Sequence, residues 1–115
     1  MSQIDTFEAM LNRGQDSDML RYTLGNAYYK EKRYAQAVIH LRKAVELNPG
    51  YSTAWKVLGR ALADEQQHQE ALEAFDTGLE VALANGDKQV EKEINVFRKR
   101  VVKHLAQHDN RQDHQ

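Results

Sequence analysis

Apolar residues recur at helical spacing along most of the chain. In the first such segment they return every three or four positions and predict a helix that ends in a charged turn over residues 30–33. A second helix begins at Tyr34 and ends before Pro49, because proline cannot continue a helical hydrogen-bond ladder. The pattern therefore predicts an antiparallel pair of helices, with Ser17 or Asp18 as the first N-cap. Its apolar positions are Leu20, Leu24, Ala27, Tyr28, Ala37, Val38, Leu41, Ala44, Val45 and Leu47.

A second pair of helices follows with the same spacing. Its first helix is predicted over residues 53–65, with Ser52 as the N-cap. A turn at residues 66–68 leads to the return helix over residues 69–84. The chain thus contains two similar hairpins in succession.

Amphipathic segments flank the two hairpins. At the front, Asp5 and Glu8 suggest a capping box, and Gly14 is a good helix stop. At the back, a helix that starts at Asp87 carries its apolar residues on one narrow stripe. Both helices can cover the open ends of the hairpins; the rear stripe is Val90, Ile94, Phe97, Val101 and Leu105, with Lys88, Lys92, Lys99 and Lys103 opposite.

The two hairpins repeat one another at a fixed interval. Gly25 and Gly59 lie 34 residues apart (59 − 25), and each has the same apolar and small residues at the same offsets. A fixed period of this length indicates a helix-turn-helix solenoid. Small side chains at such places let the two helices of a hairpin approach closely. The matched positions are Leu24, Gly25, Tyr28, Ala37, Leu41, Ala44 and Pro49 in the first copy, and Leu58, Gly59, Leu62, Ala71, Phe75, Gly78 and Leu83 in the second.

With Trp55 ahead of it, the second copy resembles the tetratricopeptide repeat, whose pattern runs Trp, Leu, Gly, Tyr, Ala, Phe, Ala and Pro. Arg21, Gly78 and Leu83 depart from that pattern. The resemblance implies an all-α fold class of antiparallel helix-turn-helix repeats, stacked as a short right-handed superhelix of about six helices. The predicted organisation is one domain over residues 1–107, with a cap helix at 1–15, repeats at 18–51 and 52–85, a cap helix at 87–107, and a disordered polar tail at 108–115.

Composition agrees with one helical domain and excludes several classes of function. Of the 115 residues, 29% are charged and the formal net charge is −1, which gives no overall attraction to nucleic acid or membrane. The absence of cysteine excludes a disulfide framework and thiolate chemistry. No apolar run reaches the length of a membrane span, and the N-terminus lacks a signal-peptide layout. We expect a cytoplasmic protein.

Candidate chemistry is sparse. The sequence holds no glycine-rich phosphate loop and no nucleophile elbow, so we predict no enzyme activity, no cofactor and no catalytic residue. His104 and His108 are four residues apart, but two ligands alone make a poor metal site. We interpret them, with His40 and His68, as solvated histidines, and predict no metal.

The lysine stripe of the last helix is the one prominent charge feature. A cationic face can attract nucleic acid. Glu91 and Glu93 dilute this face, however, and no aromatic residues are interleaved for base stacking. The outward side of a cap helix must be polar in any case, so nucleic-acid binding is disfavoured.

A partner-binding surface follows from the resemblance. In tetratricopeptide repeats the first helix of each repeat lines a concave groove that takes a peptide or a helix. Exposed tyrosines beside an amide would offer stacking area there, although packing of Tyr22 and Tyr29 against the N-terminal helix is an equal alternative. The groove positions carried over are Met19, Tyr22, Thr23, Asn26, Tyr29, Lys30, Lys56, Val57, Arg60, Ala63 and Asp64.

One known use of the family is disfavoured by these residues. Co-chaperone members hold the C-terminal carboxylate of heat-shock chaperones with a clamp of Lys, Asn, Asn, Lys and Arg. Only Asn26 matches that clamp, and acidic side chains at its last two positions would repel a carboxylate. Lys56 and Arg60 favour instead an acidic residue in a mixed apolar and polar segment. The replaced clamp positions are Tyr22, Val57, Asp87 and Glu91.

The sequence therefore predicts a non-enzymatic protein–protein interaction module. It would bind a peptide or helical segment of a partner protein in its concave groove, as a monomer. The alternative is a structural subunit that acts through self-association or docking of its terminal helices. Partner identity stays open.

Overall fold

Helices account for the regular structure of the protein. A computed structural model describes the backbone of residues 2–113 and the side chains of residues 2–107. No strand occurs in that part of the chain, which confirms the all-α fold class. The six helices are α1 (Gln3–Asn12), α2 (Asp18–Lys30), α3 (Tyr34–Leu47), α4 (Ser52–Asp64), α5 (His68–Asn85) and α6 (Lys88–Asp113).

The helices pack mainly on their neighbours in sequence. α2 pairs with α3 and α4 pairs with α5, so the two predicted hairpins are present. α1 packs on α2 at one end, and α6 packs on α5 and α4 at the other. Each hairpin buries its apolar face only against the adjacent elements, as expected of a stacked repeat.

Close approach within each hairpin occurs at the predicted small residues. A Cβ added to Gly25 would lie 2.6 Å from Cγ of Leu41, and one added to Gly59 would clash with the ring of Phe75. Ala37 and Ala71 are fully buried at the same contacts. Both hairpins are thus held at a spacing that leaves no room for a larger side chain.

Gly78 departs from the repeat pattern for a structural reason. A Cβ there would lie 2.9 Å from Cδ1 of Ile94 and 2.9 Å from Cβ of Trp55. Ile94 belongs to α6 and is fully buried. The glycine therefore lets α6 pack tightly on the second hairpin.

The apolar side of α6 is buried as predicted, but the helix is longer than expected. Val90, Ile94 and Val101 lie in the core. The helix continues to Asp113, although the polar composition after residue 107 predicted a disordered tail. No glycine or proline interrupts residues 88–113, so nothing in the backbone chemistry ends the helix earlier. Residues 114 and 115 of the predicted tail lie outside the described part.

Two predicted helix caps are wrong, and one is confirmed. Ser17 caps α2 by accepting from the backbone N–H of Leu20 at 3.0 Å. The capping box of α1 uses Ser2 and Asp5 rather than Asp5 and Glu8, because α1 begins two residues before Asp5.

Ser52 is the first residue of α4 and not its cap. Its side chain is buried, and its hydroxyl donates to the carboxylate of Asp87 at 2.5 Å. Asp87 directly precedes α6. The serine therefore joins the beginnings of α4 and α6, which lie far apart in sequence.

A polar network replaces the missing tryptophan of the first repeat. Arg21 donates to Asp16 at 2.8 Å and lies 3.1 Å from Nδ1 of His40. Glu8 of α1 accepts from the Tyr28 hydroxyl at 2.8 Å and lies 3.3 Å from Nε2 of His40. Polar contacts thus hold α1 against the first hairpin.

None of the described helices is long and apolar enough to cross a membrane. Within the same part of the chain, no three His, Cys, Asp or Glu side chains come together in a group that could hold a metal ion.

We predict that Gly59→Ala destabilises the protein. Overpacking against the fully buried Phe75 costs about 1–3 kcal/mol, and a helix-propensity gain of about 1 kcal/mol offsets part of it. The matched control is Gly50→Ala, whose Cβ would make an ordinary contact 3.5 Å from Asn48 Oδ1. Urea unfolding should show a loss of stability for the first variant alone. Equal stability of the two variants would contradict the close-packing account.

Candidate functional site

Three helices lie side by side on one face of the molecule. α4 contacts α2 on one side and α6 on the other. On each helix, residues spaced three or four apart form a stripe along this face. We call this surface the groove face. Its stripes are Met19, Tyr22, Asn26 and Tyr29 on α2, Lys56, Arg60 and Ala63 on α4, and Glu93, Phe97, Arg100 and His104 on α6.

Arg60 connects the three helices. Its Cζ lies 5.1 Å from the ring centroid of Tyr29 on α2 and 4.3 Å from that of Phe97 on α6. The negative face of an aromatic ring attracts a cation at such distances. Two rings therefore hold the guanidinium in place, and no ion pair within 4 Å holds it among the described residues.

The hydroxyl group of Tyr29 is held by a hydrogen bond. Its hydroxyl donates to the carboxylate of Asp64 at 2.8 Å. Burial, followed by this hydrogen bond, raises the pKa of Tyr29 to about 12. The phenol thus stays neutral at physiological pH and acts as a hydrogen-bond donor, not as an acid or base.

Two predicted groove residues are unavailable to a partner in the expected way. Lys56 pairs with Glu93 at 3.3 Å and its side chain is only 14% exposed, so its charge is already neutralised. Val57 is 4% exposed and belongs to the core. On α4, Arg60 and Ala63 face the groove instead. Val57 lies on the buried side of this helix, against the neighbouring helices.

The remaining residues predicted on α2 differ in what they offer. Met19 is 68% exposed, and Lys30 is exposed as well. Asn26 is half-buried. The hydroxyl of Thr23 donates to the Met19 carbonyl at 2.8 Å, so it is engaged within its own helix.

The two tyrosines contact elements other than the N-terminal helix. The ring of Tyr22 lies 5.1 Å from that of Tyr51, which directly precedes α4. Tyr29 packs on Tyr34 at 5.4 Å and on Arg60. The tyrosine that reaches α1 is Tyr28. This pattern favours the groove interpretation of Tyr22 and Tyr29 over the alternative.

A cavity of about 390 Å³ opens at the lower end of the groove face, where α4 ends and α6 passes. Phe75, Phe97, Ala63 and Val101 give it an apolar floor. Two arginines and one aspartate line it, which leaves one net positive charge with the histidines neutral. We call it the Arg60–Arg100 pocket. Its lining residues are Tyr29, Arg60, Ala63, Asp64, Gln66, His68, Phe75, Phe97, Arg100, Val101 and His104.

Two stacked histidines form one wall of this pocket. The rings of His68 and His104 lie 3.8 Å apart at 29°. Nε2 of His68 is 3.3 Å from the Gln66 side-chain oxygen, while its buried Nδ1 has no hydrogen-bond partner among the described residues. Burial, followed by the proximity of His104, lowers the pKa of His68. The expectation of a solvated histidine is therefore wrong for the half-buried His68, whereas His104 is exposed as expected but stacks on it. His108, the other member of the weighed metal pair, has no described side chain.

The structure brings four of the eleven predicted residues together at the pocket: Tyr29, Arg60, Ala63 and Asp64. The contribution of Phe97, Arg100 and His104 on α6 was not predicted, because this helix was interpreted as a cap and only Asp87 and Glu91 were compared with groove positions. The 34-residue period contained the signal, since Phe97 follows Ala63 by the same interval that separates Ala63 from Tyr29. α6 therefore takes the position of a third first helix on the groove face.

Stacked antiparallel helical hairpins with first helices aligned on one face define a helical-repeat protein. Residues 22–88 match the family model described as tetratricopeptide repeat. The TPR repeat-containing protein PA0015 of Pseudomonas aeruginosa is 40% identical over 94 residues, which cover 82% of this chain and 90% of that protein. The chain belongs to the tetratricopeptide repeat family.

Solved structures agree with this assignment. The solution structure of protein BPP2914 from Bordetella parapertussis is similar with a TM-score of 0.82 and 37% identity, covering 96% of each chain. The TPR2B domain of yeast Sti1, solved in a complex with pHsp70, shares the fold with a TM-score of 0.81 at 17% identity. That match covers 88% of this chain and 81% of the other.

We predict that His68 titrates below its usual pKa of 6.5 and that His104→Gln moves the pKa back up. The variant removes the neighbouring imidazole and part of the burial that disfavour protonation. Because the folded-state pKa is the lower one, His68 contributes stability above pH 6.5 that is lost as the pH falls toward the folded-state value. NMR titration of the ring protons measures the shift.

His40 is the internal control for that titration. Burial lowers its pKa too, ahead of the opposing effect of Glu8, but it lies in the polar network near α1. Its midpoint should be the same in both proteins. An unchanged His68 midpoint in His104→Gln would contradict the coupling between the two rings.

Proposed function

We propose that this protein is a non-enzymatic interaction module that binds a peptide or helical segment of a partner protein on its groove face. Tetratricopeptide repeat domains mediate protein–protein interactions. The observation that supports the groove face is the Arg60–Arg100 pocket, where an apolar floor and fixed polar groups occur together. Binding sites commonly combine a mostly apolar lining with a few fixed polar groups.

The internal contacts of the groove face support recognition over chemistry. Tyr29 is held by Asp64, Lys56 by Glu93, and Arg60 by two rings. Side chains that are already fixed lose little conformational entropy when a ligand binds. The face is therefore preorganised, and the exposed side chain of Met19 adds apolar contact area at the upper end.

A partner segment would lie across the three helices. Met19 and Tyr22 on α2 would contact one end of it, and the Arg60–Arg100 pocket would receive side chains at the other. We place the protein in the cytoplasm and expect a monomer as part of the same proposal.

Peptide selection tests the proposal and requires no identified partner. A random peptide library displayed on phage is panned on the wild-type protein, and affinities of enriched peptides are measured for Met19→Asp and Ile39→Asp. Both substitutions place a charge on an exposed apolar position, 68% exposed at Met19 and 62% at Ile39, but Ile39 lies on α3. We expect at least tenfold weaker binding for the first variant and unchanged binding for the second, because only Met19 is on the groove face.

Circular dichroism and urea unfolding confirm that both variants fold. Failure to enrich any peptide above a urea-unfolded control would count against the proposal. Equal losses in the two variants would place binding outside the groove face.

One observation favours a second candidate, self-association or docking through α6. Val96 follows Tyr28 and Leu62 at the 34-residue period, and both of those residues are buried. Val96 itself is 49% exposed, because no helix packs on that side of α6 in the part of the chain that the structure describes. This uncovered side could meet another copy of the chain.

Sedimentation velocity at two concentrations separates the two candidates. The groove proposal predicts a monomer at about 10 and about 500 μM, a range that spans typical weak dimer affinities. A concentration-dependent increase that Val96→Asp abolishes would support self-association. Lys99→Asp, an exposed change on the same helix, is the charge control.

A further inference from the structure

The pocket at the lower end of the groove face holds two arginines and only one carboxylate, that of Asp64. Arg60 is stacked on Tyr29 and Phe97, and Cζ of Arg100 lies 5.5 Å from the centroid of the same Phe97 ring. Neither guanidinium forms an ion pair within 4 Å among the described residues. Neither guanidinium forms a side-chain hydrogen bond among the described residues, so their N–H donors are available to a ligand.

Two other cations near the pocket are paired with carboxylates, in contrast to these two arginines. Arg98, two residues from Arg100, donates to Asp76 at 2.6 Å. Lys56, one turn from Arg60, is neutralised by Glu93. Asp64 is the only carboxylate that lines the pocket, and it is bound to the Tyr29 hydroxyl.

The histidine wall supplies an independent sign that the pocket is incomplete. Nδ1 of His68 is buried without a hydrogen-bond partner among the described residues. A buried polar atom without a partner is energetically unfavourable. With Nε2 directed at the Gln66 oxygen, Nδ1 is a hydrogen-bond acceptor, and it is closed to solvent.

We propose that the Arg60–Arg100 pocket is a subsite for an acidic side chain of the bound segment. The carboxylate receives N–H donors from Arg60 and Arg100, while its methylene groups contact the floor formed by Phe97 and Ala63. This inference rests on the proposed function and adds the chemistry that the partner must carry.

Charge and volume favour this occupant. A net positive pocket attracts an anion, and arginine forms planar, charge-assisted hydrogen bonds with carboxylates. A cavity of about 390 Å³ exceeds what a single carboxylate needs and admits an aliphatic stem and part of the backbone. The subsite differs from the co-chaperone clamp, whose last two positions correspond to Asp87 and Glu91 near the start of α6.

A double-mutant cycle on an enriched peptide tests the assignment. Each glutamate or aspartate of the peptide is replaced in turn by glutamine or asparagine, and affinity is measured for wild type, Arg100→Gln and Arg98→Gln. Loss of a charge-assisted hydrogen bond should weaken wild-type binding about tenfold or more at one peptide position. On Arg100→Gln the same peptide change should cost less than about threefold.

Arg98→Gln is the matched control, since it makes the same chemical change two residues away on α6. It should retain the full tenfold effect, because Arg98 faces Asp76 on α5. Enriched peptides without acidic residues would overturn the inference while leaving the proposed function intact. So would a loss on Arg100→Gln that equals the wild-type loss.

A small-molecule pair tests the subsite without any peptide. N-acetylglutamate amide is titrated against N-acetylglutaminamide, with the arginine Nε–H and His68 ring signals followed by NMR. We expect saturable shifts at Arg60 and Arg100 for the glutamate compound alone, and none for it in Arg100→Gln. Equal shifts with both compounds would overturn the inference, and equal shifts with inorganic phosphate would overturn its restriction to carboxylates.

The two experiments also fail in distinguishable ways. Saturable binding of the glutamate compound, with no peptide enriched, would keep the subsite and remove the proposed function. Enriched peptides that bind the groove face without needing an acidic residue would keep the proposed function and remove the subsite.

Discussion

The distance between neighbouring helices controls everything else in this structure. At Gly25 and Gly59 the missing Cβ lets Leu41 and Phe75 sit directly against the helix backbone, and Gly78 does the same for Ile94 of α6. These contacts occur at the α2–α3, α4–α5 and α5–α6 interfaces, so one kind of close approach sets the spacing within both hairpins and against α6. The aromatic and cationic contacts across α2, α4 and α6 can form only when that spacing holds.

The molecule satisfies its buried and half-buried charges in two different ways. Near α1, Arg21 and His40 are surrounded by carboxylates and hydrogen-bond acceptors. On the groove face, Arg60 is held by aromatic faces. In the first arrangement the charged groups are paired within the protein, so they serve to hold α1 and the first hairpin together. The second fixes the position of the guanidinium and leaves donors for something else to use.

Repeat periodicity was enough to predict the helices, the small-residue contacts and the buried Phe75. The close approach of two helices requires a small residue at positions such as Gly25 and Ala37. These residues recur at the repeat period, so the sequence alone reveals them. The cap at Ser52 was mispredicted because its hydroxyl is used by Asp87, a partner that only the packing of α6 supplies.

The Arg60–Arg100 pocket was only partly predicted for a similar reason. Tyr29 and Arg60 follow from the repeat pattern, whereas Phe97, Arg100 and His104 belong to a helix that lacks the Trp, Leu and Gly of a repeat. These side chains lie on the groove face because they are spaced three or four residues apart along α6, and no repeat motif marks them. The end of α6 was misplaced because a polar composition indicates solvation but does not by itself break a helix.

The hydrogen bonds between successive first helices and turns span nearly constant distances along the chain. Tyr29 to Asp64, Ser52 to Asp87 and Asn85 to Gly50 each join residues 35 positions apart. Such contacts, like the helix packing as a whole, join only elements that are adjacent or next but one in the chain. They also mean that cooperativity passes only from neighbour to neighbour. The terminal helices can therefore open and exchange their amide protons while the central pair, α3 and α4, stays closed.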